Sequence, residues 1–236
     1  MKVEIFSDVA CPWCYIGKRR FESALEQFAQ KDQIEITWRS YQLDPSAPPI
    51  SGISVNEILA KKYGMSPQQA AAANQQVSAL ASEEGLEYHL EKAQYGNTFD
   101  AHRLIQLAAT RQLQDEVEER FFKAYFNEGA ALGDRETLVQ LVSEVGIDAE
   151  EARAVLAGNE FTNEVRSDIG RARELGIQGV PFFLFDEKYG VSGAQSAEVL
   201  KKALDRVWAE SHPAPKFVTI GGDDGNSCEG DSCAIA

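Results

Sequence analysis

The chain has 236 residues, 44% of them hydrophobic, which suffices for one large domain or for a small domain carrying an insertion. With 37 acidic against 23 basic residues the formal net charge is −14, which argues against a nucleic-acid phosphate partner. No stretch approaches the roughly 20 apolar residues of a membrane-spanning helix. The opening Met1-Lys2-Val3-Glu4-Ile5-Phe6 shows neither a charged leader nor an apolar signal core, so a cytoplasmic protein without membrane contact is expected.

Val3, Ile5 and Phe6 predict a strand over 2–7. Cys11-Pro12-Trp13-Cys14 then opens a helix predicted over 12–30, with Phe21, Ala24, Leu25 and Phe28 at helical spacing. Both thiols therefore fall on the first turn of a helix that leaves a strand end, with Cys11 exposed and Cys14 one turn further in. The unpaired N–H groups and partial positive charge of a helix start favour a thiolate. Such placement brings a cysteine pKa from about 8.5 into roughly the 3.5–7.5 range. Pro12 suits the first turn, where its missing N–H is harmless. Trp13, between the thiols and exposed, is placed to touch apolar substrate segments. A zinc site needs a second ligand pair, and none lies nearby, so the reading is a thiol–disulfide site with no metal and no cofactor. Lys18, Arg19 and Arg20 read either as a source of local positive potential after the CxxC or, the favoured reading, as a solvated helix face. Asp8 reads equally as a proton acceptor during exchange or as a polar loop contact.

Residues 34–41, Ile-Glu-Ile-Thr-Trp-Arg-Ser-Tyr, alternate with period two and predict a second strand, parallel to the first. Asp44-Pro45 and Pro48-Pro49 mark a boundary. From Ser54 to Gly176 the pattern is helical. Ser54 with Glu57 makes a capping box, and Ser66-Pro67 opens an Ala-rich helix. Asn97 and Thr98 cap a segment through Arg111, and further helices are predicted over 115–128, 134–145, 148–157 and 160–175. Gly129, Gly133, Gly146, Gly158 and Gly176 stand at the breaks as C-caps. Strand character returns over 180–185 and 190–193 around a loop at 186–189, and a last helix runs over 196–208 with Ser196 as its cap.

Removing the helical block leaves β-α-β followed by β-β-α. This is an α/β, thioredoxin-like fold with a large all-helical insertion. The expected division is 1–48 and 177–212 for the thioredoxin-like domain, 49–176 for the helical insertion, and 213–236 for an acidic, Gly-rich tail. That tail carries Cys228 and Cys233. Three readings of this pair stand open: a second dithiol that exchanges with Cys11 and Cys14, an inert local disulfide, or a soft metal site with Glu229 and Asp231.

Three stretches carry a family resemblance: Ser7-Asp8-Val9-Ala10-Cys11-Pro12-Trp13-Cys14-Tyr15-Ile16-Gly17, Asn97-Thr98-Phe99-Asp100-Ala101-His102-Arg103, and Gly176-Ile177-Gln178-Gly179-Val180-Pro181-Phe182-Phe183. Together they resemble the DsbA-like thioredoxin-fold oxidoreductases, and more closely their FrnE branch, over roughly residues 2–210. The resemblance implies a cis Val180–Pro181 peptide facing the CxxC, with the Val180 backbone offered to a bound substrate. The alternative is that Pro181 merely starts a strand in trans. His102 reads either as a group tuning Cys11 or as a satisfied histidine at the junction with the helices. The expected activity is thiol:disulfide exchange, reduction or isomerisation on protein thiols and disulfides, with a small thiol or thioredoxin-type protein as electron partner. Two rivals are a glutathione-dependent transferase or isomerase of the kappa-like branch and a redox-independent chaperone. The second cysteine of the CxxC counts against the first rival.

Overall fold

The structure is a computed structural model that describes residues 1–50 and 52–213; Cys228 and Cys233 lie outside the described residues. Four strands form one sheet in the order β2-β1-β3-β4. β1 (Lys2–Ser7) runs parallel to β2 (Glu35–Ser40), with Val3 opposite Ile36 and Ile5 opposite Trp38. A parallel pair needs a crossover, and α1 (Pro12–Glu26) supplies it. β3 (Phe182–Phe185) lies antiparallel to β1, and β4 (Tyr189–Ser192) closes a hairpin with β3.

Period-two alternation gives the sheet two apolar faces. Val3, Ile5, Phe183 and Phe185 turn to one side, where they pack with Phe21 and Ala24 of α1 and with Leu200, Leu204 and Val207 of α9 (Ala197–Ser211). Phe6 and Leu184 turn to the other side and meet Ala172 of α8 (Thr162–Glu174). β3, inside the sheet and covered on both faces, is the strand that reads as a continuous apolar run, Phe-Phe-Leu-Phe.

Between β2 and β3 the described regular elements are helices: α2 (Val55–Tyr63), α3 (Pro67–Glu83), α4 (Phe99–Ala109), α5 (Gln114–Lys123), α6 (Arg135–Glu144), α7 (Ala149–Ala157) and α8. Both predicted starts at Ser54 and Ser66 are complete capping boxes, closed by Glu57 and Gln69. α5 continues through a π-helical turn over Ala124–Glu128 that ends on left-handed Gly129.

Some local expectations differ. α1 stops at Glu26, because the chain turns to lay Phe28 edge-on against Trp208, centroids 5.8 Å apart. The start of α4 is tied by Asn97 Oδ1, which accepts from Phe99 N at 2.9 Å, while the Thr98 side chain makes no cap bond. Gly158 ends α7 in extended backbone, not the left-handed form. Gly133 caps no helix C-terminus; it stands just before Asp134, the N-cap of α6.

One apolar cluster runs from the CxxC into the helices. Cys11, Cys14, Tyr15 and Ile16 share it with Leu104, Phe121, Phe122 and Phe126. The start of α1 is therefore wedged between the sheet and the helices.

Candidate functional site

The backbone places both sulfurs at one end of α1. Cys11 is its N-cap, with extended φ −92° and ψ 112°, and Pro12 follows at the first helical position. The turn is closed by Cys11 N donating to Asp8 O at 2.8 Å and Cys14 N donating to Cys11 O at 3.0 Å. Tyr88 Oη, arriving from beyond α3, donates to Pro12 O at 2.7 Å. Both cysteines are free thiols. Cys11 is not the exposed sulfur that the sequence suggested: it is 4% accessible and Cys14 is 1% accessible. The helices between β2 and β3 cover them, which no local pattern foretells. Trp13 does stand out, at 39%.

The Val180–Pro181 peptide is cis. Cys11 Sγ donates to Val180 O at 3.5 Å, so the proline turn and the leading thiol face each other directly. Gly17 makes this approach possible. A Cβ at that position would stand 2.8 Å from Pro181 Cγ, inside contact distance. Cys11, Pro12, Trp13 and Val180 line a cleft of about 390 Å³ that is walled on its far side by Val55, Ile58 and Leu59 of α2, Val77 of α3, and Phe126. Asp8 reaches the same cleft, as do Asp44 and Lys62.

Behind the thiols lies a set of buried polar groups. Cys14 is pushed well above the usual thiol range, first by burial and then by Cys11 beside it; Ser7 and the Asp8 backbone pull the other way through hydrogen bonds. Ser7 Oγ, at the end of β1, donates to Glu118 Oε1 of α5 at 2.7 Å. Glu118 is 1% accessible, and burial pushes its carboxyl up to about 7 against the pull of His102 and Ser7. His102 on α4 has its Nε2 3.6 Å from Asp8 Oδ1, longer than a hydrogen bond, and that nitrogen has no hydrogen-bond partner. Burial lowers the imidazole's proton affinity, but Asp8 and Glu118 together hold it above its ordinary value. Asp8 is itself fixed in the loop, with Oδ1 accepting from Ala10 N at 3.3 Å and Oδ2 from Leu43 N at 2.8 Å.

His102 and Asp8 thus face each other behind the CxxC, and Asp8 makes the polar loop contact as well. The basic residues after the CxxC are not a solvated face. Lys18 is 3% accessible and pairs with Glu22, with Asp115 at 3.0 Å and with Glu119 at 3.3 Å. Arg19 pairs with Glu119, which also accepts from Tyr15 Oη at 2.6 Å, and Arg20 pairs with Glu84 at 2.6 Å. The acidic residues of α5, Glu84 just after α3 and Glu22 on α1 itself draw these cations in.

Glu118 and Ser7 escaped the sequence reading. A signal was present: Glu118 stands three and four residues before Phe121 and Phe122 and seven before Tyr125, on the apolar face of its helix. An acid on that face is buried and must find a partner.

Comparison with known proteins agrees with this geometry. The DSBA-like thioredoxin domain family matches residues 2–205. A probable DsbA oxidoreductase of Streptomyces coelicolor is 43% identical, with all of this chain and 99% of that one covered and a TM-score of 0.86. YwbO, an uncharacterized protein of Bacillus subtilis, is 26% identical over 204 residues, covering 86% of this chain and 94% of its own. A 2-hydroxychromene-2-carboxylate isomerase shares the fold alone, at 19% identity and a TM-score of 0.66, with 89% of this chain and 98% of that one covered. With the thioredoxin-like sheet, the CxxC at the start of α1 and the cis-proline turn in place, the chain belongs to the DsbA-like thioredoxin family.

Proposed function

We propose that this protein is a thiol:disulfide oxidoreductase acting on protein thiols and disulfides, with Cys11 as the exchanging sulfur and Cys14 as its resolving partner. The observation that carries the reading is the asymmetry of the pair. Cys11 borders the cleft under the Val180 carbonyl, whereas Cys14 lies one turn deeper, in contact with Cys11 and held protonated by burial. In the reducing direction the Cys11 thiolate attacks a substrate disulfide, forming a mixed disulfide and releasing one substrate thiolate. Cys14 then attacks Cys11 Sγ, the Cys11–substrate bond breaks, and the enzyme is left oxidised. The reverse sequence transfers the disulfide to a substrate dithiol. A small thiol or a thioredoxin-type protein returns the enzyme to its starting state.

The apolar cleft walls and the exposed Trp13, Leu43 and Tyr63 around them support an unfolded polypeptide as substrate. Val180, beside Cys11, supplies backbone for such a segment to lie along. Insulin reduction with dithiothreitol tests the assignment. Cys11→Ser is expected to abolish turnover, and Cys14→Ser to accumulate a mixed disulfide visible as an intact-mass adduct. A Cys11→Ser chain that reduces insulin at the wild-type rate ends the proposal.

A further inference from the structure

Resting on that reading, the geometry points to Asp44 as the residue that lets the cleft choose substrates by charge. It favours a polypeptide segment with a lysine or arginine near the reacting cysteine and turns away acidic disulfides, oxidised glutathione among them. Among the described residues, the charged side chains that border the cleft beside Cys11 are Asp8, Asp44 and Lys62. Most of the remaining wall is apolar, with Val55, Ile58, Leu59, Val77 and Phe126 around it, so a charge placed there is weakly screened. A substrate meets these three charges unequally.

Asp8 has no charge to spare. It is 1% accessible, its two oxygens accept from Ala10 N and Leu43 N, and His102 faces it from behind. Asp44 is different. Its side chain is 26% accessible, and it is held in one place. Oδ1 accepts from Ser46 N at 3.1 Å and from Ser46 Oγ at 2.6 Å, and Oδ2 accepts from Tyr95 Oη at 2.5 Å. Those hydrogen bonds, Ser46 first, keep the carboxyl below its usual range, so it is ionised at neutral pH. Tyr95 is pushed up to about 12, first by burial and then by Asp44, and stays a donor. Lys62 is the facing cation. Its Nζ stands 4.0 Å from Asp44 Oδ2, beyond hydrogen-bond length, and its side chain is 47% accessible on α2, a helix that buries no residue completely. Such a lysine is displaced at little cost, and a substrate cation can take its place at a carboxylate already fixed and ionised.

A segment with apolar residues against α2 and a lysine or arginine close by satisfies both the wall and Asp44. One with a glutamate in that place meets a carboxylate that cannot move away. Glutathione carries two carboxylates and one ammonium, offers the apolar wall little to bury, and finds Lys62 already turned to Asp44. A rim charge of this kind changes the association rate on the order of tenfold at low ionic strength, and the effect fades as salt shortens the screening length. By the same argument the electron partner of this site is a protein thiol in a neutral or basic segment, not glutathione.

The test uses one apolar peptide with a single cysteine, made with lysine, glutamine or glutamate two residues from it and activated as the 2-thiopyridyl disulfide. The Cys11 thiolate of the full Cys14→Ser chain attacks the peptide sulfur and the peptide–thiopyridine bond breaks. The leaving thiolate takes a proton from solvent and is read as pyridine-2-thione, and intact mass confirms the peptide on Cys11. At low ionic strength the lysine form is expected to react on the order of tenfold faster than the glutamate form, with glutamine between them and the ratio shrinking in concentrated salt. Asp44→Asn keeps an acceptor for Ser46 and removes the charge. It is expected to bring the three rates together and to raise the rate with oxidised glutathione. Lys62→Gln is expected to widen the ratio. Equal rates for the three peptides with Asp44 in place overturn the charge selection and leave the oxidoreductase reading intact. So does an Asp44→Asn chain that slows all three alike and keeps their ratio. A chain that forms no adduct at Cys11 with any of the peptides overturns both.

Discussion

A carboxyl group enclosed among apolar rings keeps its proton to a higher pH than one in water, and Glu118 does so by burial in the face that α5 turns to the site. The consequence for stability has a definite sign. Between the ordinary value of 4.5 and about 7, the folded chain holds a proton that the unfolded chain has released. Stability tied to this group is therefore complete below about 4.5 and is lost as pH rises through 7. The full loss is on the order of 3 kcal/mol. Urea unfolding at intervals from pH 4.5 to 8 checks it. The wild type is expected to lose stability relative to Glu118→Gln across that window, and a difference that stays flat or grows with pH contradicts the assignment. His102 shifts with the same sign, and part of its lift comes from Glu118, so the substitution removes part of that titration too. At this scale the sequence was legible for the place of Cys11 and Cys14 at the start of α1 and for the exposure of Trp13, the resemblance supplied the cis peptide before Pro181, and the burial of Cys11 was missed. The sequence was less legible for Lys18, Ser7 and Glu118. Lys18 and Glu118 each stand beside a residue of the same charge, Arg19 and Glu119, and only long-range packing decides which of each pair is sealed in, while Ser7 and Asp8 are both buried.

The elements are joined across the sheet by a polar clamp that lies on the α8 side. Asp168 of α8 accepts from Ser40 N at 3.0 Å, from Gln106 Nε2 at 2.7 Å and from Arg39 at 3.1 Å, and Arg39 and Arg171 both reach Glu4. Burial raises the Asp168 carboxyl in spite of these partners, so the clamp holds its charge at some expense. Removing Asp168 leaves the buried Ser40 N–H without its acceptor and takes one of two carboxylates from Arg39, and a buried donor left unpaired is costly. Asp168→Ala is expected to destabilise the chain by about 3 kcal/mol in urea unfolding, with α8 loosened from β2. Glu136→Ala, on an exposed pair with Arg153, is expected to change stability by no more than about 1 kcal/mol. A clamp variant as mild as the surface one shows that the α8 packing rests on Phe6, Ala172 and Leu184 instead. The elements were more readable than the residues that join them. Ser54, Ser66 and Ser196 announce helix starts through side-chain oxygens that the structure shows on the expected N–H groups, and Asp134 and Asp148 cap α6 and α7 in the same way. The π turn at Ala124–Glu128 announces nothing, because it is stabilised by where Tyr125 and Phe126 must point and not by any local preference.

Across the whole molecule, burial is distributed unevenly around the cleft. β1 buries five of its six residues and α4 seven of its eleven, so the thiol side stands on the firmest part of the fold. The opposite wall does not. α2 buries no residue completely, and the 17-residue α3 buries only Ala70 and Ala81. Each helix is well capped, but caps supply on the order of 1 kcal/mol, far less than a packed apolar face. Local opening free energy follows buried contact, and a wall with so little of it opens without global unfolding. Val55, Ile58 and Leu59 nevertheless point into the cleft, so an apolar segment seated beside Cys11 adds the burial that α2 lacks. Hydrogen exchange read by mass spectrometry is expected to show the amides of α2 and the first half of α3 exchanging at least about tenfold faster than those of α4 and β1 in the free protein, a gap of about 1.4 kcal/mol in opening free energy. A mixed disulfide formed between Cys11 of the Cys14→Ser chain and an apolar cysteine peptide is expected to slow α2 selectively. Equal protection on both walls of the free protein contradicts the argument. So does a bound peptide that slows α4 and leaves α2 untouched, because the seat would then lie away from the residues that border it.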